Sequence, residues 1–146
     1  MSLRHRYAEG GYTSTGNKIP DIPVVRLMLL RRDTGTRATG PAIVDTGFDG
    51  GVLPNVELLT FFEGLIPRYT DKLAGPFGGV VDCEVFEVDG KLISEDRSRE
   101  RVLGKVKVYI PLVPEYLADE VLLGREIANK FAMKLDGKSV DIAKLD

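Results

Sequence analysis

Two Asp-Thr-Gly tripeptides, at 33–35 and 45–47, carry the candidate catalytic carboxylates of the chain. The first lies in LLRRDTGTRATG, among polar residues, where Asp and Gly are typical of a hairpin turn. The second lies in PAIVDTGFDGGVLP, directly after an apolar run. Burial and a neighbouring carboxylate both raise the pKa of a carboxyl group, so two such groups can share one proton. We therefore interpret Asp33 as a turn residue and Asp45 as the candidate acid–base group.

Other catalytic side chains are scarce in this sequence. Cys83 is the only cysteine and His5 is the only histidine. A nucleophilic triad needs a rigidly oriented base, and His5 lies in what we expect to be a loose arm. One histidine and one distant cysteine do not form a zinc site, so we expect neither a metal nor a cofactor. A single cysteine cannot form an internal disulfide, which fits a reducing, cytoplasmic setting.

The composition is typical of a single soluble domain. The 146 residues are 43% hydrophobic and 29% charged, with a formal net charge of −2. Nucleic-acid binding is not expected, because there is no strongly basic field. The sequence shows no apolar run of membrane-spanning length and no signal peptide, so we expect no membrane partner and a cytoplasmic location.

The elements that position Asp45 are mostly short strands. Residues 1–20 contain Gly, Ser and Thr without an apolar period, which predicts a flexible or loosely docked arm before a single domain over 21–146. Many short strands with two short helices indicate an all-β barrel or sandwich. The predicted elements are a hairpin over 22–46, a helix over 55–64, a hairpin over 69–93 tipped by 75–79, a strand over 102–110, a strand and helix over 121–131, and two strands over 132–142.

Three finer predictions concern the second half of the chain. Asp89-Gly90 predicts a turn. The charged segment 92–101 predicts a solvated loop. Alternation in 102–110 predicts that Val102 lies on the same side of its strand as Val106 and Val108.

Four segments, in order, resemble the single-domain, retroviral-type (retropepsin-like) aspartic proteases. AIVDTGFDG resembles their active-site loop and KLAGPFGGVV their glycine-rich flap; VLLGREIANKF resembles their Gly-Arg segment with its helix, and AMKLD the strand that follows. The match covers about residues 22–136, and its Asp-Thr-Gly-Phe start looks most like prokaryotic members. The resemblance implies an all-β, closed retropepsin-like barrel with one or two short helices and a flap hairpin.

The resemblance also implies roles for individual residues of the loop. Asp45 would activate water, Thr46 would brace two such loops by hydrogen bonds, and Gly47 would let the backbone pass close to the carboxylates. Asp49 would hold the substrate backbone and pair with Arg125, which has a structural role.

Further residues would contact the substrate. Gly75, Gly78 and Gly79 would let the flap close over an extended peptide. Phe77 and Phe48 would form pocket walls. The residues alone leave alternatives open, because the glycines also fit an ordinary hairpin turn and Phe48 also fits a core position.

A chain of this length is too short for two catalytic lobes, so the second Asp45 would come from a second copy across a two-fold axis. The leading hypothesis is a homodimeric aspartic endopeptidase that hydrolyses peptide or protein substrates with water activated by the two Asp45 carboxylates. The alternative is an inactive retropepsin-fold dimerisation or peptide-binding module. Phe48 and Pro76 favour it, because the family usually has a small residue after Asp-Thr-Gly and Pro76 would stiffen the flap. Glu126 also departs from the family's usual Asn or Asp.

Overall fold

The computed structural model describes residues 2–74 and 79–145 of the chain. The short helices in these ranges are a 3-10 helix (Glu57–Phe62), a second 3-10 helix (Pro114–Tyr116) and α1 (Arg125–Ala128). The strands are β1 (Leu3–Arg6), β2 (Val24–Leu30), β3 (Arg37–Val44), β4 (Val52–Leu53), β5 (Tyr69–Ala74), β6 (Val80–Ile93), β7 (Glu100–Pro111), β8 (Leu122–Leu123), β9 (Phe131–Leu135) and β10 (Ser139–Lys144).

Six of these strands close into a barrel. The hydrogen-bonded order is β2-β3-β8-β4-β7-β6, and β6 pairs back to β2, which completes the ring. Strand β5 pairs only with β6 and extends the hairpin away from the ring. The ring confirms the predicted all-β, closed-barrel fold, and closure leaves its member strands without a free edge.

The barrel interior is filled by side chains from the inward positions of these strands. Val25, Leu29, Leu92, Val108 and Leu123 are each at most 1% exposed. Side chains alternate between the faces of a strand, so each strand delivers one inward row. Burying a large apolar side chain contributes about 1.5–3 kcal/mol. This packing gives the loops at the strand ends a rigid base.

Most of the predicted elements are confirmed. The 22–46 hairpin is β2 and β3, and the 69–93 hairpin is β5 and β6. The helix predicted over 55–64 is present as the 3-10 helix Glu57–Phe62, with the Asn55 side chain accepting a hydrogen bond from the Leu58 amide at 3.0 Å.

The turn predicted at Asp89-Gly90 is wrong, because both residues lie inside β6. Asp89 pairs with Lys105 and Gly90 pairs with Gly104, while β2 pairs along the other edge. The glycine is instead explained by packing, because there is little room for a side chain at this position. A Cβ on Gly90 would lie 3.1 Å from Val106 Cγ1, so a larger residue would crowd the facing strand. The chain turns later, between Ile93 and Glu100. The loop predicted over 92–101 is therefore shorter than expected, because its ends belong to β6 and β7 and Leu92 is buried.

The predicted inward position of Val102 is also wrong. Gly90 pairs with Gly104 but Lys91 pairs with Val102, so Leu103 is an extra residue in β7. Such a bulge shifts the alternation by one residue and turns every side chain beyond it to the other face. Val102 is 71% exposed and Leu103 only 9% exposed. Gly104 accommodates the bulge at φ 71°.

The prediction of a flexible arm over 1–20 does not hold for its first strand. Strand β1 pairs with β10, which also pairs with β9, to form a separate three-stranded sheet. Leu3 is 3% exposed within it. The arm is predicted from its composition, which is dominated by the polar, glycine-containing stretch after this strand. A strand of four residues has little effect on that composition. In the described part of the chain, no helix has the length and apolar character needed to cross a membrane.

Candidate active site

Asp45 is the first residue after β3, whose last residues are the buried part of that strand. Its amide donates to the Leu123 carbonyl at 2.9 Å, which ties it to the neighbouring strand β8. The Asp45 Oδ1 atom accepts a hydrogen bond from the Gly47 amide at 2.9 Å. The residue is half-buried, whereas Thr46 and Gly47 are exposed. The barrel therefore holds the backbone of Asp45 in place, while the loop residues that follow it are exposed to solvent.

Asp33 has a different environment, although its tripeptide is identical. It lies in the turn between β2 and β3, and its carboxylate forms an ion pair with Arg31 at 2.6 Å. This hydrogen-bonded guanidinium lowers the pKa of Asp33. The prediction that Asp33 is a turn residue is confirmed.

Backbone hydrogen bonds connect the loop after Asp45 to the start of α1. The amides of Gly124, Arg125 and Glu126 donate to the carbonyls of Gly51, Phe48 and Gly50 at 2.8, 3.0 and 3.2 Å respectively. The first amides of a helix have no partner within the helix. Here the loop carbonyls satisfy them, so the Gly-Arg segment holds the backbone next to the candidate carboxylate.

Asp49 and Arg125 form an ion pair across this junction. This is the contact that the family resemblance implies. Both side chains are about half exposed, at 48% and 47%. A pair so open to solvent contributes about 0–1 kcal/mol to stability. Its effect on this site is to orient the Asp49 carboxylate toward the guanidinium.

Two residues near the loop were not assigned by the sequence, Tyr109 and Glu126. The Tyr109 ring meets the Phe48 ring edge-on, with centroids 6.2 Å apart at 84°. The Tyr109 hydroxyl donates to the Glu126 carboxylate, and the tyrosine is only 5% exposed. The departure of Glu126 from the family pattern was the available signal. The Glu126 carboxylate gives this buried hydroxyl its hydrogen-bond acceptor.

Replacing Tyr109 by Phe tests this contact. Burial, followed by the hydrogen bond to Glu126, raises the pKa of Tyr109 above its ordinary value. The unfolded tyrosine ionises near pH 10, so wild-type stability falls as the pH rises above about 10. Tyr109→Phe is expected to cost about 1–2 kcal/mol at pH 7 and to show a shallower decline above pH 10. Urea unfolding at pH 7 and above pH 10 measures the free energy of unfolding of each protein. Tyr12→Phe, at a 70% exposed site, is the control. Equal declines in all three proteins would contradict it.

An open, mostly apolar pocket of about 290 Å³ adjoins Phe48. Phe48 therefore packs on Tyr109 and also lines a concave surface. The sequence left open whether Phe48 is a core residue or a pocket wall, and its position has features of both. The pocket lies between the part of the β5–β6 hairpin nearest its tip and the second 3-10 helix. Its lining is Phe48, Leu53, Leu73, Ala74, Val81, Cys83, Pro111, Glu115, Tyr116 and Leu117.

Cys83 forms part of this pocket's wall but is 0% exposed. Burial, with a smaller effect from the Asp82 and Asp71 charges, raises the pKa of its thiol to about 11. The thiolate is the reactive form, so this cysteine is suited to packing and not to nucleophilic attack.

We expect Cys83 to resist thiol reagents until the protein unfolds. Labelling by iodoacetamide at pH 8 should be at least about a hundredfold slower in the native protein than in urea, because both access and thiolate formation are suppressed. Mass spectrometry over time measures the two rates. Comparable rates in native and unfolded protein would contradict the buried assignment.

The predicted flap is described only in part. Strands β5 and β6 form its arms, with Ala74 paired to Val80, and Gly79 is exposed where β6 begins. The candidate residues Gly75, Phe77 and Gly78, together with Pro76, lie outside the described residues. Among the described residues, no group of three or more His, Cys, Asp or Glu side chains is placed to hold a metal ion.

Comparison with known proteins adds a likeness in fold. No protein-family model and no curated protein sequence matches the chain. A retropepsin-like aspartic protease from Rickettsia conorii, known from a crystal structure, matches with a TM-score of 0.53 and 13% identity. The match covers 97% of this chain and 91% of that one. At this identity the likeness concerns the backbone alone, and it shows that the chain has a retropepsin-like all-β fold.

Proposed function

We propose that this chain is an aspartic endopeptidase that acts as a homodimer. The observation that carries the proposal is the position of Asp45. In a retropepsin-like barrel, the residue follows the buried end of β3 and its carboxylate is oriented by the Gly47 amide at 2.9 Å. The loop that bears it is held by the first amides of α1. A carboxylate used in acid–base catalysis needs such a fixed position.

The proposed chemistry uses two copies of Asp45, one from each subunit. Two adjacent carboxyl groups hold one proton between them, because both cannot ionise at close range. The ionised group accepts a proton from water, which attacks the peptide carbonyl carbon, while the protonated group donates to the carbonyl oxygen. The C–N bond then breaks, giving a carboxylic acid and an amine. The exposed Thr46 and Gly47 are available to meet the partner's loop.

An extended peptide is the substrate class that suits this site. Peptides bind such sites by adding a strand, with alternate side chains entering pockets. Phe48 would contact one side chain through the pocket that it lines, and the Asp49 carboxylate, oriented by Arg125, would accept from substrate amides. Gly75, Phe77, Gly78 and Gly79 would cover the peptide from the flap side.

Digestion of a diverse peptide library between about pH 3 and 7 tests the proposal. Mass spectrometry would identify the cut sites, and sedimentation would report the oligomeric state at each protein concentration. Activity per chain should rise with concentration in parallel with the dimer fraction, because each site needs two chains. A stable dimer that binds peptides without cutting any would instead support a binding module.

A further inference from the structure

A cationic groove lies on the outer face of the barrel, away from Asp45. Its cations are Arg26 on β2, Arg37 on β3, Lys91 on β6 and Arg97 in the turn between β6 and β7. The groove has a volume of about 360 Å³. Four separate parts of the chain therefore bring positive charge to one concave surface.

Little of this charge is neutralised within the groove. Lys91 pairs with Glu100 at 3.1 Å, and Glu100 is the one acidic residue in the lining. Arg26 donates to the Glu95 backbone carbonyl at 2.9 Å, a neutral acceptor that positions the guanidinium without cancelling its charge. Neither Arg37 nor Arg97 has an ion pair with a described residue. The lining therefore has four cations and one anion, although the whole chain has a net charge of −2.

Arg97 occupies a backbone position that favours glycine. Its φ is 63°, and no other non-glycine residue in the described part of the chain has a positive φ. The turn itself is held by other contacts: the Arg97 amide donates to the Ser94 carbonyl at 3.0 Å, and the Ser98 amide donates to the Asp96 carboxylate at 2.9 Å. Glycine would adopt this conformation without steric strain. The arginine is therefore less favourable than glycine for the conformation of this turn, and it adds a positive charge to the groove.

The lining of the groove also indicates the form of its ligand. The apolar residues of the lining are Met28, which is 7% exposed, and the half-buried Ile93, and Thr39 supplies a hydroxyl group. A free phosphate ion would leave this apolar surface unused. A flat anionic membrane would not reach into a concave groove. A peptide segment with carboxylates on either side of an apolar side chain matches both features.

We propose that this groove binds an acidic peptide segment with a central apolar residue. Its carboxylates pair with Arg37, Arg97 and Arg26, while the apolar side chain packs on Met28 and Ile93. Arg37 and Asp45 lie at opposite ends of β3, about 25 Å apart at the usual rise per residue. The groove is thus a second contact site, and it does not depend on peptide hydrolysis.

Fluorescence anisotropy with a short labelled peptide, in which one Leu lies between runs of Glu, tests this site. A matched peptide has Gln at every Glu position. The variants are Arg37→Gln and Arg97→Gly, with Arg68→Gln, an exposed arginine outside the groove, as control. Arg97→Gly removes charge while relieving the backbone, so its melting temperature should be equal to or above that of the wild type.

The wild type is expected to bind the Glu peptide and not the Gln peptide. Each groove variant should weaken binding about three- to fivefold, and the double variant about tenfold or more, while Arg68→Gln has no effect. Raising the salt concentration from about 50 to 200 mM should weaken binding further. The proposal is overturned if both peptides bind equally, if neither binds, or if the double variant binds like the wild type. Retention of the protein on phosphatidylserine vesicles without peptide binding would also overturn it.

Discussion

Replacing Asp45 by Asn is expected to abolish peptide hydrolysis while leaving the barrel folded. Asn has nearly the same shape and still accepts the hydrogen bond that the Gly47 amide gives to Oδ1. It cannot accept a proton from water at any working pH. General acid–base catalysis contributes about 10²–10⁴ to a rate, and both copies of the residue are lost in a homodimer. We expect cleavage to fall at least about a thousandfold, measured on the peptides that the wild type cuts best.

The sequence supplies a matched control in its other Asp-Thr-Gly. Asp33→Asn makes the same chemical change in the same tripeptide, far from Asp45 along the hairpin. The Arg31 side chain is 8% exposed, and its guanidinium donates both to the Asp33 carboxylate and to the Phe61 carbonyl. Asp33→Asn should therefore lower the melting temperature, because the buried guanidinium loses its counter-ion. Turnover at a temperature where the variant is folded should stay close to that of the wild type.

The two variants together separate catalysis from folding. A folded, dimeric Asp45→Asn protein that still cleaves peptides would refute the proposed role of Asp45. Loss of activity in both variants would assign the effect to general destabilisation. If the wild type itself cleaves nothing, the endopeptidase proposal fails, whereas the acidic-peptide groove stands or falls on its own binding measurement.

The strands could be predicted because their signals are local, whereas the closed barrel is implied only by the family resemblance. The apolar run of β2 and the alternation in β6 and β7 each identify a strand without reference to the rest of the fold. The choice between Asp33 and Asp45 was also local, since the flanking residues are polar in one case and apolar in the other. The structure confirms the strands and the turn position of Asp33, whereas the catalytic role of Asp45 stays a prediction.

The errors arose where distant segments decide the outcome. Asp89-Gly90 has the composition of a turn, but pairing with two neighbouring strands keeps it extended. Leu103 turns inward because a bulge opposite Gly90 shifts the register, and nothing within 102–110 reveals it. Tyr109 and Glu126 meet only through tertiary folding, so no spacing in the sequence links them. The propensity of residues describes one segment alone. The strands that pair with that segment determine its register and its side-chain contacts.

Replacing Gly124 by Ala is expected to be among the most damaging single changes in this protein. Gly124 precedes α1 at the junction with the loop that carries Asp45. A Cβ there would lie 2.2 Å from the Gly50 carbonyl oxygen and 2.7 Å from that of Phe48. It would also lie 2.6 Å from Cδ2 of the Phe48 ring. The ring could rotate, but the two oxygens belong to the backbone that carries the loop.

Relieving this clash would require the loop to move away from α1. The hydrogen bonds from the Arg125 and Glu126 amides to the Phe48 and Gly50 carbonyls, at 3.0 and 3.2 Å, would then be lengthened or lost. Overpacking a well-packed site costs about 1–3 kcal/mol, and the lost hydrogen bonds add to it. We expect Gly124→Ala to lower the free energy of unfolding by at least about 3 kcal/mol, measured by urea denaturation.

Gly40→Ala in β3 is the matched control, because an added Cβ at Gly40 meets nothing within 4 Å and its φ is not positive. That variant should be as stable as the wild type or about 0.5–1 kcal/mol more stable, since Ala loses less conformational freedom in a strand than Gly does. Equal stabilities for Gly124→Ala and Gly40→Ala would contradict the close packing of the Asp45 loop on α1. A large loss confined to Gly124→Ala would show that the loop bearing Asp45 is positioned by the Gly-Arg segment behind it, and that the missing Cβ is what makes this possible.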